Sequence, residues 1–296
     1  GAIEGLVAPE TANNAAVGGA FIPMLTLGIP GDAVTAIMIG ALFILPFLLF
    51  SALGGQLADK FDKARLVRAI KIAEIGIVAV AAVGFVTYNV TVLLAALFLM
   101  GTHSAFFGPV KYSILPQVLR QDELVGGNGL LEMGTFLAIL GGTICAGVLA
   151  SVTDNPWVIS GVLALVAVVG AAVSFAVPAT QAAAPELVLG FNPIKESLAS
   201  MRLARASRPV WLSLLGISWF WFFGAMLLTQ FASYGKDVLG GDATVITLLL
   251  ALFSVGVGAG SLLCERLSGH RVEIGLVPFG SIGLSVFAID LFFASP

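Results

Sequence analysis

From Thr35 to Phe50 the chain reads TAIMIGALFILPFLLF, sixteen residues without a charge. Comparable apolar runs recur to the end of the chain. They predict helices at 36–57, 70–87, 90–109, 125–150, 157–177, 210–233, 244–263 and 274–293. About 20 mostly apolar residues cross the hydrocarbon core of a bilayer, so the pattern predicts an all-α polytopic membrane protein with eight transmembrane helices. Residues 16–30 are also apolar, but they are short and interrupted by Pro23, Pro30 and several glycines. That suits a broken or re-entrant N-terminal segment better than a clean span.

The basic residues orient these spans. Assigning loops alternately to two sides places 13 of the 14 Lys and Arg on one side and only Lys236 on the other. Basic residues mark the cytoplasmic face, so the C-terminal FFASP is expected outside. The longest predicted cytoplasmic connection, 178–209, contains the amphipathic stretch NPIKESLASMRLARASRP. A long inner connection between two groups of spans is how a two-bundle transporter is joined; a helix lying on the membrane surface is a compatible reading. The expected organisation is a segment 1–42, a first bundle 43–177, the connection 178–209 and a second bundle 210–296.

Composition agrees: 58% of residues are hydrophobic, 10% are charged, and mean hydropathy is +1.04. A soluble domain carries about 25% charged residues, so most of this surface must face lipid. A net charge of −3 gives no reason to expect nucleic acid. Cys145 and Cys264 are far apart and suggest neither a disulfide nor a metal site. With only His103 and His270 and no nucleophile motif, neither enzyme chemistry nor a cofactor is expected.

The densest charged motif is GGQLADKFDKARLVR. Gly55 and Asp59 share a helix face. Gly55 is expected to admit a neighbouring helix, Asp59 to cap or pair with it, and Lys60, Lys63 and Arg65 to hold the loop at the anionic inner leaflet. The motif resembles the signature loop of the major facilitator superfamily, with departures at Asp62 and Ala64. A looser echo, GAGSLLCERLSGHR, carries Gly260, Glu265 and Arg266; Gly256 and Gly260 there form a pair suited to helix packing.

The resemblance narrows at GTHSAFFGPVKYSILPQVLRQDELVGGNGLLEMGTFLAILGGT, residues 101–143. This stretch is similar to the lysophospholipid transporter family within that superfamily, and to the membrane half of its fusions with acyl-ACP synthetase and acyltransferase domains. The match runs from about Gly40 to Pro296. It implies a secondary transporter that moves lysophospholipid inward across the inner membrane for re-acylation, with an acyltransferase or acyl-ACP synthetase as partner.

Within this stretch Lys111, Asn128 and Glu132 are the candidates for substrate or coupling contacts. FFGPVKY is expected to break its helix at Gly108–Pro109 and to leave Lys111 at the inner end. Lys111 there is either a contact for a lipid phosphate or a snorkelling anchor. Glu132 is either an intramembrane functional carboxylate or an interfacial group paired with Lys111 or Arg120. His103 is read as a helix–helix hydrogen-bond donor and Glu74 as structural. The aromatic run SWFWFFGAMLLTQF is open to two readings, an acyl-chain path or a lipid-facing stripe.

The first residues carry a different signal. Pro9, Glu10, Asn13, Asn14, Pro30 and Gly31 lie in APETANNAAVGGAFIPMLTLGIPG, which resembles the large membrane subunit of tripartite tricarboxylate transporters. That resemblance implies a seam near Gly40–Leu42. It makes the chain a chimera or fragment of low transport activity, whose facilitator part lacks its first helix and its last three. Two other readings follow: an organic-anion permease subunit, or a membrane anchor for a lipid-remodelling enzyme.

Overall fold

A computed structural model describes residues 33–241 and 243–294. Expectations for residues 1–32, including the broken segment and the tricarboxylate-permease positions Pro9, Glu10, Asn13, Asn14, Pro30 and Gly31, fall outside the described residues. Among those described there are nine α-helices: α1 Ala33–Lys60, α2 Lys63–Val86, α3 Val90–Val118, α4 Leu124–Val152, α5 Pro156–Ser174, α6 Pro193–Ala206, α7 Arg208–Ser233, α8 Ala243–Leu267 and α9 Leu276–Ala294. Eight of them fall on the eight apolar runs, and α6 is the amphipathic stretch of the long connection. Six segments, 63–86, 90–118, 121–146, 156–174, 248–267 and 276–293, are long and apolar enough to cross a membrane by length and composition; α1 and α7 are 28 and 26 residues long.

The helix starts are set by local chemistry. Asp62, Asn89, Asn155 and Asn192 precede α2, α3, α5 and α6, and each side chain accepts from a backbone N–H of the first turn. Such caps satisfy amides that have no partner within the helix. Pro156 and Pro193 occupy the first helical position, where the missing N–H costs nothing.

Two boundaries differ from expectation. Helix α2 begins at Lys63 rather than near residue 70, so Lys63 and Lys71 are helical and buried, at 1% and 0% exposure, instead of lying in a loop at the leaflet. Helix α3 is not broken at Gly108–Pro109; it continues to Val118 with Pro109 and Pro116 inside it. Pro109 has no N–H for the carbonyl of Ala105 four residues earlier, and that carbonyl faces Gly54 of α1. Helix α1 runs without interruption through Gly40–Leu42, as the apolar run over 36–57 predicts.

Packing follows the glycines and the apolar faces. Helix α1 lies on α3, α2 lies between α3 and α5, and α4 packs against α8. One buried cluster gathers Ala58, Val67, Ile70, Phe107, Ile114 and Leu131; another gathers Val78, Phe85, Met100, Ile159 and Leu163. The outward faces are apolar as well: Leu48, Leu165 and Phe287 are among many exposed large hydrophobic residues, as a lipid-solvated surface requires.

Candidate functional site

The signature loop between α1 and α2 is roofed by the connection that follows α5. Ala184 N–H donates to the carbonyl of Asp59 at 2.8 Å, Lys60 Nζ to the carbonyl of Leu187 at 2.6 Å, and Arg68 to the carbonyl of Val177 at 3.1 Å. Gln56 accepts from Gly190 N–H and donates to Glu196, both at 2.7 Å. Lys63 N–H donates to the Thr180 hydroxyl at 3.0 Å.

Asp62 sits at the centre of this clasp. Its Oδ1 accepts from Ala64 N–H at 2.8 Å and from the N–H and hydroxyl of Thr180, each at 3.3 Å. Partial burial pushes the Asp62 carboxyl up. The hydrogen bonds from Thr180, Ala64 and Arg65 outweigh that and hold it below the ordinary carboxylate value.

The predicted residues of this loop divide. Close helix approach occurs at Gly54, where a Cβ would lie 2.9 Å from the Ala105 carbonyl oxygen; at Gly55 a Cβ would meet nothing within 4 Å. The adjacent glycine faces α3 because each residue turns about 100° around the helix. The Asp59 side chain is exposed and makes no hydrogen bond or ion pair among the described residues, so its backbone, not its carboxylate, joins the clasp. Lys63 is buried beneath the connection, whereas the Arg65 side chain is 85% exposed, 3.8 Å from Asp62.

Helices α4 and α8 meet in antiparallel register, the N-terminal half of α4 against the C-terminal half of α8. A Cβ at Gly129 would fall 2.6 Å from the Ser261 carbonyl oxygen, and one at Gly126 would overlap the Glu265 carboxylate; a Cβ at Gly258 would contact Met133 at 3.3 Å. Further along, Phe136 meets Phe253 edge to face at 6.0 Å and stacks on Trp221 at 6.2 Å. Glu265 is therefore brought to the N-terminus of α4, where a carboxylate is favoured, and it lies 3.2 Å from His270 Nδ1. Gly260 and Gly256 have open space where a Cβ would be, so the close contact uses glycines of α4 instead. Arg266 is exposed. Arg120, Asp122, Glu123, Glu265 and His270 line a cavity of about 340 Å³ at this end.

Of the candidate substrate residues, Lys111 and Glu132 come together through a residue the sequence reading missed. Tyr112 donates its hydroxyl to Glu132, and Lys111 Nζ lies 4.9 Å from the Tyr112 ring centroid. Arg120 is not a partner of Glu132; it pairs with Asp122 at 3.2 Å and Glu123 at 3.4 Å. Asn128 is exposed and donates back to the Leu124 carbonyl of its own helix at 2.8 Å. In the aromatic run of α7, Trp219 and Phe222 face outward, 69% and 56% exposed, whereas Trp221 packs on Phe136. Among the described residues no group of His, Cys, Asp and Glu is arranged to hold a metal ion.

Comparisons with known proteins agree with this architecture. The chain is 32% identical over 234 residues to the lysophospholipid transporter LplT of Pectobacterium carotovorum, covering 74% of this chain and 53% of that protein. It is 30% identical over 261 residues to LplT of Klebsiella pneumoniae, covering 83% of this chain and 61% of the relative. The chain thus spans between half and two thirds of the length of these relatives. Among solved structures, it superposes on a bacterial homologue of the iron transporter ferroportin in an outward-facing state, with a TM-score of 0.62 at 17% identity, covering 90% of this chain and 69% of that one. This likeness concerns the fold alone. Residues 10–296 match the Major Facilitator Superfamily, including most of the segment that resembles a tricarboxylate permease. The chain is a multi-pass bacterial inner-membrane protein, of a transporter family rather than an enzyme family, and it belongs to the Major Facilitator Superfamily.

Proposed function

We propose that this protein acts in moving lysophospholipid across the bacterial inner membrane, delivering it to a re-acylating enzyme of the acyltransferase or acyl-ACP synthetase type. The observation that carries this reading is the identity of 30–32% with lysophospholipid transporters over most of the chain. In this reading Lys111, Tyr112 and Glu132 form the headgroup contact. A lysine can hold a phosphate and a carboxylate can hold an ammonium, so the group suits a zwitterionic phosphoethanolamine. The clasp and the α4–α8 contact act as the conformational switch, in the manner of two bundles rocking about a central site. Asp59, Lys60 and Arg65 on one side, and Glu265 and Arg266 on the other, lie at the cytoplasmic ends of the elements that would move.

The test is saturable binding of lysophosphatidylethanolamine to the full chain in nanodiscs, read by native mass spectrometry. Binding that exceeds that of diacyl phosphatidylethanolamine and weakens about tenfold in Lys111→Ala or Glu132→Gln supports the reading; a tenfold change corresponds to about 1.4 kcal/mol. No saturable binding, or equal binding of both lipids, overturns it. An organic-anion role has support only from the motif in residues 1–42, and citrate binding lost in Asn13→Ala is its test.

A further inference from the structure

Helix α6 combines basic charge with uncovered apolar side chains. Its Glu196 is turned inward, where it accepts from Gln56 of α1 at 2.7 Å. Ile194 and Leu198 each stand two residues from Glu196, about 200° around the helix, and Met201 follows one turn after Leu198. These three therefore point away from Gln56, and they are uncovered, with Ile194 72% and Met201 51% exposed. Phe191, just before the helix, is 78% exposed. Lys195 and Arg202 flank the stripe, Arg205 ends it, and Arg208 follows in the first turn of α7. All four basic side chains are exposed, and none forms an ion pair among the described residues. Of the two acidic residues of the connection, Glu186 precedes the helix and Glu196 faces Gln56, so the outer flank of α6 is uniformly basic.

The depth of α6 follows from its neighbours. Its N-terminal end meets α1 around a cavity of about 170 Å³, lined by Leu49, Phe50, Leu53, Phe191, Pro193 and Glu196. At 1.5 Å per residue, Leu49 lies about 17 Å and Gln56 about 6 Å inward from Lys60, the last residue of α1. Helix α1 carries no charge from Ala33 to Ala58, so this level is the inner margin of the hydrocarbon rather than bulk water. At the other end of α6 the Arg205 guanidinium lies 5.0 Å from the centroid of the Trp211 ring, in the first turn of α7. Tryptophan rings settle at the boundary between membrane and water. Both ends of α6 are thus held at headgroup level, and an apolar stripe bordered by Lys and Arg is the pattern of a helix lying in that layer.

We propose that α6 is a docking surface for the anionic phospholipid of the inner leaflet. Ile194, Leu198 and Met201 enter the acyl-chain region, and the apolar cavity beside Phe191 takes up part of a chain. Lys195, Arg202, Arg205 and Arg208 meet the phosphates, to which Lys and Arg donate charge-assisted hydrogen bonds. A zwitterionic headgroup carries its own ammonium, which repels these side chains as its phosphate attracts them. A headgroup such as glycerol leaves the phosphate charge uncancelled, so the surface selects phosphatidylglycerol over phosphatidylcholine. This docking does not depend on what the protein carries across the membrane.

The experiment places a nitroxide at Met201→Cys in the full chain lacking Cys145 and Cys264, with Ala199→Cys, on the opposite side of the helix, as the control. Collisions with oxygen, which enters lipid, and with a water-soluble nickel chelate are compared in nanodiscs of phosphatidylcholine and of phosphatidylcholine mixed with phosphatidylglycerol. With phosphatidylglycerol present, the Met201 label should be shielded from the chelate and reached by oxygen, while the Ala199 label stays open to the chelate. In phosphatidylcholine alone the chelate should reach both. The phosphatidylglycerol content needed for half-shielding should rise about fivefold for each of Lys195→Gln, Arg202→Gln and Arg205→Gln, and Arg202→Lys should restore it. An unchanged Ala199 signal in these variants checks that the helix is still formed. A Met201 label open to the chelate in both membranes would leave this face to water, as a surface for an acidic protein would be, and overturns the proposal. Equal shielding in both membranes, or a phosphatidylglycerol effect that survives the three glutamines together, means apolar anchoring without headgroup recognition and overturns it as well.

Discussion

Placing a single methyl group at Gly129 should tilt the balance between closed and open arrangements of α4 and α8. The Cβ of Gly129→Ala would stand 2.6 Å from the Ser261 carbonyl oxygen, whereas ordinary contacts begin at 3.4 Å. Both groups are backbone or rigidly attached to it, so no rotamer change relieves the clash, and the helices must part by about 0.8 Å, an overpacking that costs about 1–3 kcal/mol. Alanine also favours helix over glycine by about 1 kcal/mol, but it does so in every conformation and cancels from the ratio. The closed-to-open ratio should therefore fall by about 5- to 150-fold. Gly126→Ala is the control. Its Cβ meets only the end of the Glu265 side chain, which can swing aside. The assay uses spin labels at Asp122→Cys and His270→Cys, in a chain lacking Cys145 and Cys264, with distance distributions measured in nanodiscs. An unchanged distribution for Gly129→Ala, or an equal shift for Gly126→Ala, would refute the reasoning.

Two further outcomes follow from the α1–α3 contact and the clasp. Gly54→Ala should lower the thermal unfolding midpoint in detergent because its Cβ strikes the Ala105 backbone, while Gly55→Ala, with open space around it, should leave the midpoint unchanged or raise it through a propensity gain of about 1 kcal/mol; the reverse order would discard the assigned contact. The depressed Asp62 carboxyl contributes stability that is fully present above its unfolded value near 3.9 and is lost as pH falls through the lower folded value. Pepsin cleavage between residues 178 and 190 should therefore rise steeply only below about pH 4, and Asp62→Ala should expose the same segment to thermolysin at neutral pH.

Much of the architecture is legible in the pattern of apolar runs, since lipid leaves a chain little choice but to close its backbone hydrogen bonds within helices. The helix starts are also readable, because Asn155-Pro156 and Asn192-Pro193 carry their own capping chemistry. What could not be read is tertiary. Lys63 and Lys71 look like loop charges until Thr180 covers the one and Glu74 neutralises the other. Neighbouring glycines 54 and 55 are equivalent on paper, and only the freed Ala105 carbonyl on α3 distinguishes them. Tyr112 carried no signal of its own, because its link to Glu132 crosses between helices. Likewise, the spacing of the second charged motif pointed to Gly260, yet the partner helix supplied the glycines at positions 126 and 129.

The most direct test of the account joins the lipid to the moving parts. With the label pair at positions 122 and 270, saturating lysophosphatidylethanolamine should redistribute the α4–α8 distances, and diacyl phosphatidylethanolamine should not. The same distribution with and without lysolipid, in a chain whose Gly129→Ala variant does respond, would contradict a lysophospholipid transport cycle built on this contact.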